Sequence, residues 1–176
     1  MPHLDDPAGR HFRFRDLIEA GETFAAHRPD NTPRQPDTWT HLAELAQSIL
    51  DPVTDRFGRP RITHGFTGAE LIRRIPGRIA PQLDQHAGNE LNRKGNPICK
   101  RPGQAADFQV PHVSSLEIAR FVVKALPFDR LYYYGDDRPL HVSVGPERAG
   151  YLCVIERKQG GHGHPRTISR EKFLTD

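Results

Sequence analysis

Turn-forming residues set the grain of this chain. Fifteen glycines and sixteen prolines are spread through 176 residues. Proline lacks a helical N–H donor, and an interior glycine costs a helix about 1 kcal/mol, so long uninterrupted helices are excluded. A helix bundle is therefore not expected. The length fits one domain. Short patterned runs of Phe, Tyr, Leu, Ile and Val supply a core, so the chain is not of the disordered class. No 18-residue apolar run exists, and mean hydropathy is −0.66, which excludes a membrane-spanning helix. Two cysteines, Cys99 and Cys153, make no disulfide framework. The polar start carries no apolar signal segment, so the expected location is cytoplasmic, with reduced thiols.

The punctuation delimits the elements. Residues 1–11 read as a disordered lead, and residues 14–21 as a short helix. Residues 28–38 carry three prolines and form a loop. Trp39, Leu42, Leu45, Ala46, Ile49 and Leu50 recur at helical spacing and give the clearest amphipathic helix, with a final turn to Phe57. Residues 61–64 read as a strand and residues 70–75 as a helix. Residues 76–103 are irregular, with a helix over 84–92. A strand over 105–110 and a helix over 116–126, capped by Ser114 or Ser115, follow. Residues 131–134, 140–144 and 151–156 read as three antiparallel strands. Residues 12–158 form one domain, and 159–176 a C-terminal extension with a last short element near 166–173. Helices first and strands later imply an α+β domain with a small antiparallel sheet and flanking helices.

Ten histidines invite a search for metal ligands. In Ala105–Val110, alternation places Asp107 opposite Ala106 and Phe108. If Phe108 and Val110 face the core, Asp107 and Gln109 face a cleft. In Leu140–Val144, His141 and Ser143 share one face. A carboxylate and an imidazole on neighbouring strands are two of the three protein ligands a catalytic zinc needs. Each alone is more often a hydrogen-bonded structural residue.

From Phe12 to Val144 the chain resembles the zinc D-alanyl-D-alanine carboxypeptidases and L-alanyl-D-glutamate endopeptidases, which share a fold with the hedgehog signalling domain. Asp30–Pro33, Leu42–Ala46, Ile49–Val53, Phe57–Pro60, Ile62-Thr63 and Gly65-Phe66 carry the early half. Gly103-Gln104-Ala105-Ala106-Asp107 is similar to the family's Gly-x-Ala-x-Asp zinc segment. Phe128–Tyr133 and His141-Val142-Ser143 resemble its closing strands. The resemblance implies a zinc-dependent hydrolase that cleaves a peptide or amide bond with a metal-activated water. A peptidoglycan-like peptide is the nearest substrate analogy.

Three departures shape the site this resemblance implies. The family's first His ligand stands seven residues before the Asp, where this chain has Lys100, and an ammonium has no lone pair for a metal. Asp84-Gln85-His86 resembles the family's Ser-x-His displaced upstream, giving His86, Asp107 and His141 as the zinc ligands, with Cys99 as a second candidate. The family's catalytic Glu falls near Tyr134, a phenol suited to donating to an oxyanion and a poor base at neutral pH. Asp136, Asp137 and Glu90, the last one helical turn after His86, are the alternative carboxylates. The family's substrate-binding Arg is replaced by Thr67. Lys100, Arg101 and Ser143 join Thr67 as candidate substrate contacts, with Arg73, Arg74 and Arg78 further candidates for an anion.

These cations, with Lys94, form a basic band over 73–101. It motivates a different reading, in which a divergent non-peptidase binds or processes an anionic intracellular ligand such as nucleic acid. A catalytically dead recognition module is the third reading. His162 and His164 lie in a His/Gly tail able to pick up adventitious metal. No Gly-x-Gly-x-x-Gly or Walker-type loop occurs, so nucleotide-cofactor use has no motif behind it.

Overall fold

A computed structural model describes residues 1–76, 80–155 and 164–175. The expectations placed on Arg78, Glu156 and His162 lie outside these residues. Short elements dominate, as the glycine and proline spacing requires. They are α1 (Phe14–Ile18), α2 (Glu22–His27), α3 (Pro36–Leu45), α4 (Asp51–Phe57), β1 (Arg61–His64), α5 (Ala69–Ile72), β2 (Gln104–Gln109), α6 (Ser115–Ala125), β3 (Arg130–Tyr133), β4 (Leu140–Val144), β5 (Tyr151–Val154), β6 (Arg166–Thr167) and α7 (Arg170–Thr175). Helix α3 runs into α4 through a wide π-type turn, Ala46–Leu50, just ahead of Pro52, whose missing N–H already interrupts the ladder.

The architecture is mixed α+β. One six-stranded sheet has the order β1-β2-β4-β3-β5-β6. All pairings are antiparallel except β3 with β5, which is parallel. The expected run of three antiparallel strands is corrected here. Strand β4 folds back onto one edge of β3, and the returning chain takes the other edge, so β5 runs antiparallel to β4 and parallel to β3. Ala106, Phe108, Leu131, Leu140, Val142 and Leu152 point to one face and join Leu42, Leu45, Ile49, Ile118 and Val122 in a single core. The opposite face carries the polar members of each strand.

Residues 1–11, read above as a disordered lead, pack against the helical layer. Ala8 is fully buried, and Pro7 bridges to Arg13. The buried Asp51 carboxylate anchors the segment by accepting the N–H groups of Arg10 (2.7 Å) and His11 (3.0 Å). In the C-terminal extension, Phe173 of α7 is buried against Tyr133. Asp51→Ala leaves two N–H groups without their acceptor. The expected loss is about 2–4 kcal/mol of stability in denaturant unfolding, with loss of amide-exchange protection confined to residues 8–13. An unchanged unfolding midpoint contradicts this anchor.

Candidate metal centre

The site is one row of the sheet read across its strands. His64 of β1 pairs with Asp107 of β2, Asp107 with His141 of β4, and His141 with Tyr132 of β3. A bulge after Ile62 brings His64 into this row, since Ile62 itself pairs with the core residue Phe108. The fifth member, His86, arrives from outside the sheet on a 3-10 turn, Gln85–Ala87.

Two imidazoles meet one carboxylate oxygen. His86 Nε2 lies 3.2 Å and His141 Nδ1 2.8 Å from Asp107 Oδ1. His86 Nδ1 is 2.9 Å from the carbonyl oxygen of Gly65, an acceptor only, so this nitrogen carries the proton and Nε2 is aimed at the cluster. Such a backbone bond is the outer contact that orients a metal-binding histidine. Asp84 completes the group. Its Oδ1 accepts the His86 backbone N–H at 3.1 Å and sits 3.8 Å from His86 Nε2. Ligand atoms of Asp84, His86 and His141 all lie within 4.8 Å of one another, which makes them a candidate metal-binding group.

The charges at the cluster are strongly coupled. Burial works against the His86 imidazolium, but the carboxylates of Asp84 and Asp107 outweigh it and raise its pKa to about 9. Burial would raise Asp107, yet His86 and His141 hold its carboxyl far below the usual range. His64, stacked edge-on against His86 with ring centroids 4.4 Å apart, is lowered to about 4 by burial and by the neighbouring His86 charge. A cation is therefore wanted between the carboxylates, and in the metal-free protein the His86 proton supplies it. The donor set also suits a metal. Zinc–ligand bonds of about 2.0–2.2 Å in tetrahedral geometry put ligand atoms about 3.3–3.6 Å apart, near the 3.2 Å observed between His86 and Asp107.

The surroundings hold the turn in place. Gln85 is saturated: its amide donates to Asp129 Oδ2 (2.9 Å) and Pro102 O (3.0 Å), and its carbonyl accepts from Ser143 Oγ (2.7 Å). Gly103, at φ +133°, passes so close to β4 that a Cβ would stand 2.1 Å from Val144 O. Gly65, whose carbonyl orients His86, would place a Cβ 2.0 Å from Leu17 O. On one side of the cluster a cavity of about 20 Å³ touches His64, Thr67, Asp84 and His86, one water's worth of space. On the other a cleft of about 570 Å³ is bordered by Gly21, Phe24, Arg61, His64, Asp107 and Gln109.

The structure thus brings His86, Asp107 and His141 together, with Thr67 beside them. Thr67 is buried, with Oγ1 3.1 Å from His64 Nε2 and its N–H on His86 O. Tyr134 stands just past the end of β3 with its side chain partly exposed; partial burial, with the negative charges of Asp107 and Asp84, raises its hydroxyl pKa. Ser143 acts at one remove, by holding Gln85. Other candidates lie elsewhere. The expected helix over 84–92 is a 3-10 turn stopped at Gly88, φ +56°, so Glu90 does not follow His86 around a helix. Its Oε1 accepts from Arg34 N (3.0 Å), Gln35 N (3.1 Å) and Thr38 Oγ1 (3.0 Å), capping the start of α3. Asp136 does the same for α6, accepting from Ser114 Oγ and Leu116 N. Asp137 offers its carbonyl to Gln109.

No described member of the basic band lines either cavity at the cluster. Lys100 is exposed, with its backbone N–H on Gln82 O, and Arg101 bonds Leu83 O at 3.0 Å. Arg73 and Arg74 pair with Glu70. Cys99 is buried, which raises its thiol pKa, and its sulfur accepts from Arg101 N. Two members escaped the sequence. Strand alternation puts His64 on the side of Ile62, and only the bulge reverses it. Asp84 stands two residues before His86, a spacing that signals its turn-capping bond and nothing more.

No family model, curated protein or solved structure matches this chain. Glu90→Ala is expected to lower stability by about 2–4 kcal/mol, because three donors lose their acceptor, and to leave metal stoichiometry unchanged. Loss of metal with stability intact would place Glu90 in the centre instead.

Proposed function

We propose that this protein is a metal-dependent hydrolase of peptide or amide bonds, with zinc as its metal. One observation carries the reading: His86, Asp107 and His141, drawn from a turn and two strands, converge with edges of 3.2 and 2.8 Å, and Asp107 borders an open cleft. His86 Nε2, Asp107 Oδ1 and His141 Nδ1 would hold the metal, and zinc is the ion for which a His/Asp/His set beside a water-accessible position is suited. When bound, such an ion supplies Lewis acidity to a carbonyl and lowers the pKa of a water. The likeness of 103–107 and 141–143 to the zinc carboxypeptidase and endopeptidase segments supports a peptide substrate, and peptidoglycan stem peptides are the closest analogy.

The chain's own groups divide the remaining work. The Gly65 carbonyl keeps the His86 proton on Nδ1 and its lone pair on Nε2. Asp84, more exposed than Asp107 and bound only to its own turn, is the carboxylate on hand to take a proton, a role Glu90 and Asp136 are too far committed elsewhere to fill. Tyr134, partly exposed and with its pKa raised by partial burial and the two carboxylates, is the hydroxyl able to donate to a developing oxyanion.

A second reading retains the site without metal, as a recognition module. The 2.8 Å His141–Asp107 contact favours it, since imidazole protons satisfy the carboxylate unaided. Equilibrium dialysis against zinc separates the two. The expected result is one zinc per chain, with affinity reduced at least 100-fold in His141→Ala and in Asp107→Asn, and amine release from a stem-peptide panel only by the loaded protein. Protein that binds no zinc sinks the first reading. Protein that binds zinc and releases no amine from any peptide or amide removes the peptidase assignment.

A further inference from the structure

A second surface, which shares no residue with the metal centre, has the makings of a binding groove. It lies where the end of α4, the outer face of α6 and α7 meet, and has a volume of about 690 Å³. Phe57, Phe121 and Leu174 form its apolar floor, the two rings packed edge to face at 5.4 Å. Arg56, Arg120 and Lys124 line it, with one acid, Glu117. On α6 the positions Glu117, Arg120, Phe121 and Lys124 follow helical spacing and form one stripe, with Glu117 and Lys124 exposed and Phe121 partly buried against the edge of the core.

The cations are unmatched. Arg56, Arg120 and Lys124 join no ion pair or hydrogen bond among the described residues, although most arginines elsewhere do. Arg120 Nε is buried with no partner. Arg120 lines the groove with no acceptor of its own, which leaves the terminal N–H groups of its guanidinium to pair with a ligand carboxylate. Arg56 lies over the floor, its Cζ 5.3 Å from the Phe57 ring centre and 5.1 Å from that of Phe121. A guanidinium stacked this way still presents N–H groups at its edge.

We propose that this groove binds an acidic peptide segment of a partner protein, one that inserts an apolar side chain between Phe57, Phe121 and Leu174 and sets carboxylates against Arg56, Arg120 and Lys124. The rings argue for peptide over single-stranded nucleic acid. Base stacking needs an open aromatic face, and Arg56 covers the rings that would offer one. This inference stands independently of the metal centre.

The test is selection of random dodecapeptides on the full chain, followed by fluorescence anisotropy with the enriched peptides. Two variants with equal charge change are compared: Arg56→Glu with Lys124→Glu in the groove, and Lys94→Glu with Lys100→Glu outside it. The expected outcome is enrichment of peptides with at least two acids flanking a Leu, Phe or Trp. Their affinity falls tenfold or more in the groove variant and less than twofold in the other. Failure to enrich acidic peptides, equal weakening in both variants, or displacement of the peptide by a twelve-nucleotide single strand at similar concentration overturns the proposal.

Discussion

The structure turns on the Asp107 carboxylate. A carboxylate largely withdrawn from water, as Asp107 is with about a quarter of its side chain exposed, is costly unless it is paired and hydrogen-bonded. Here the compensation comes from His86 and His141, which lie in different elements far apart in the chain. The arrangement therefore ties the register of β2 on β4 to the placement of the 84–88 turn. A one-residue slip of β4 would turn His141 into the core and bring Leu140 or Val142 to the carboxylate. The apolar alternation of β4 and the polar pair across it enforce the same register, which is the consistency expected of a well-specified fold.

Around this pair the chain spends its backbone on positioning. Residues 80–103 hold almost no regular structure, yet they carry a buried turn, because Gln85 is fixed from three directions and Gly103 lets the segment approach β4. Gly65 permits contact with the end of α1 and offers its carbonyl to His86. The caps made by Glu90 and Asp136 belong to the same economy: acids close to the centre in sequence are held at helix starts, where N–H groups and the helix dipole favour negative charge. Asp84 and Asp107 are left as the carboxylates at the imidazoles.

Much of this was legible in the residues. Alternation placed Asp107 and His141 on the outer face of their strands, and the spacing of Trp39 to Leu50 gave the main helix. Short elements followed from glycine and proline. The illegible parts have particular causes. The bulge that swings His64 beside Asp107 breaks the very alternation used to read strands. Glu90 was assigned by helical spacing to a segment that Gly88 bends out of helix. The parallel β3–β5 pair depends on which edge of β3 the chain returns to, which local pattern does not encode. Residues 1–11 look polar, but the acceptor that orders them, Asp51, lies forty residues on.

X-ray absorption at the zinc edge of the loaded protein tests the central claim most directly. The account predicts a first shell of nitrogen and oxygen at about 2.0–2.1 Å with multiple scattering from two imidazoles, reduced to one in His86→Ala. A shell containing sulfur at about 2.3 Å, or one without imidazole scattering, would contradict it.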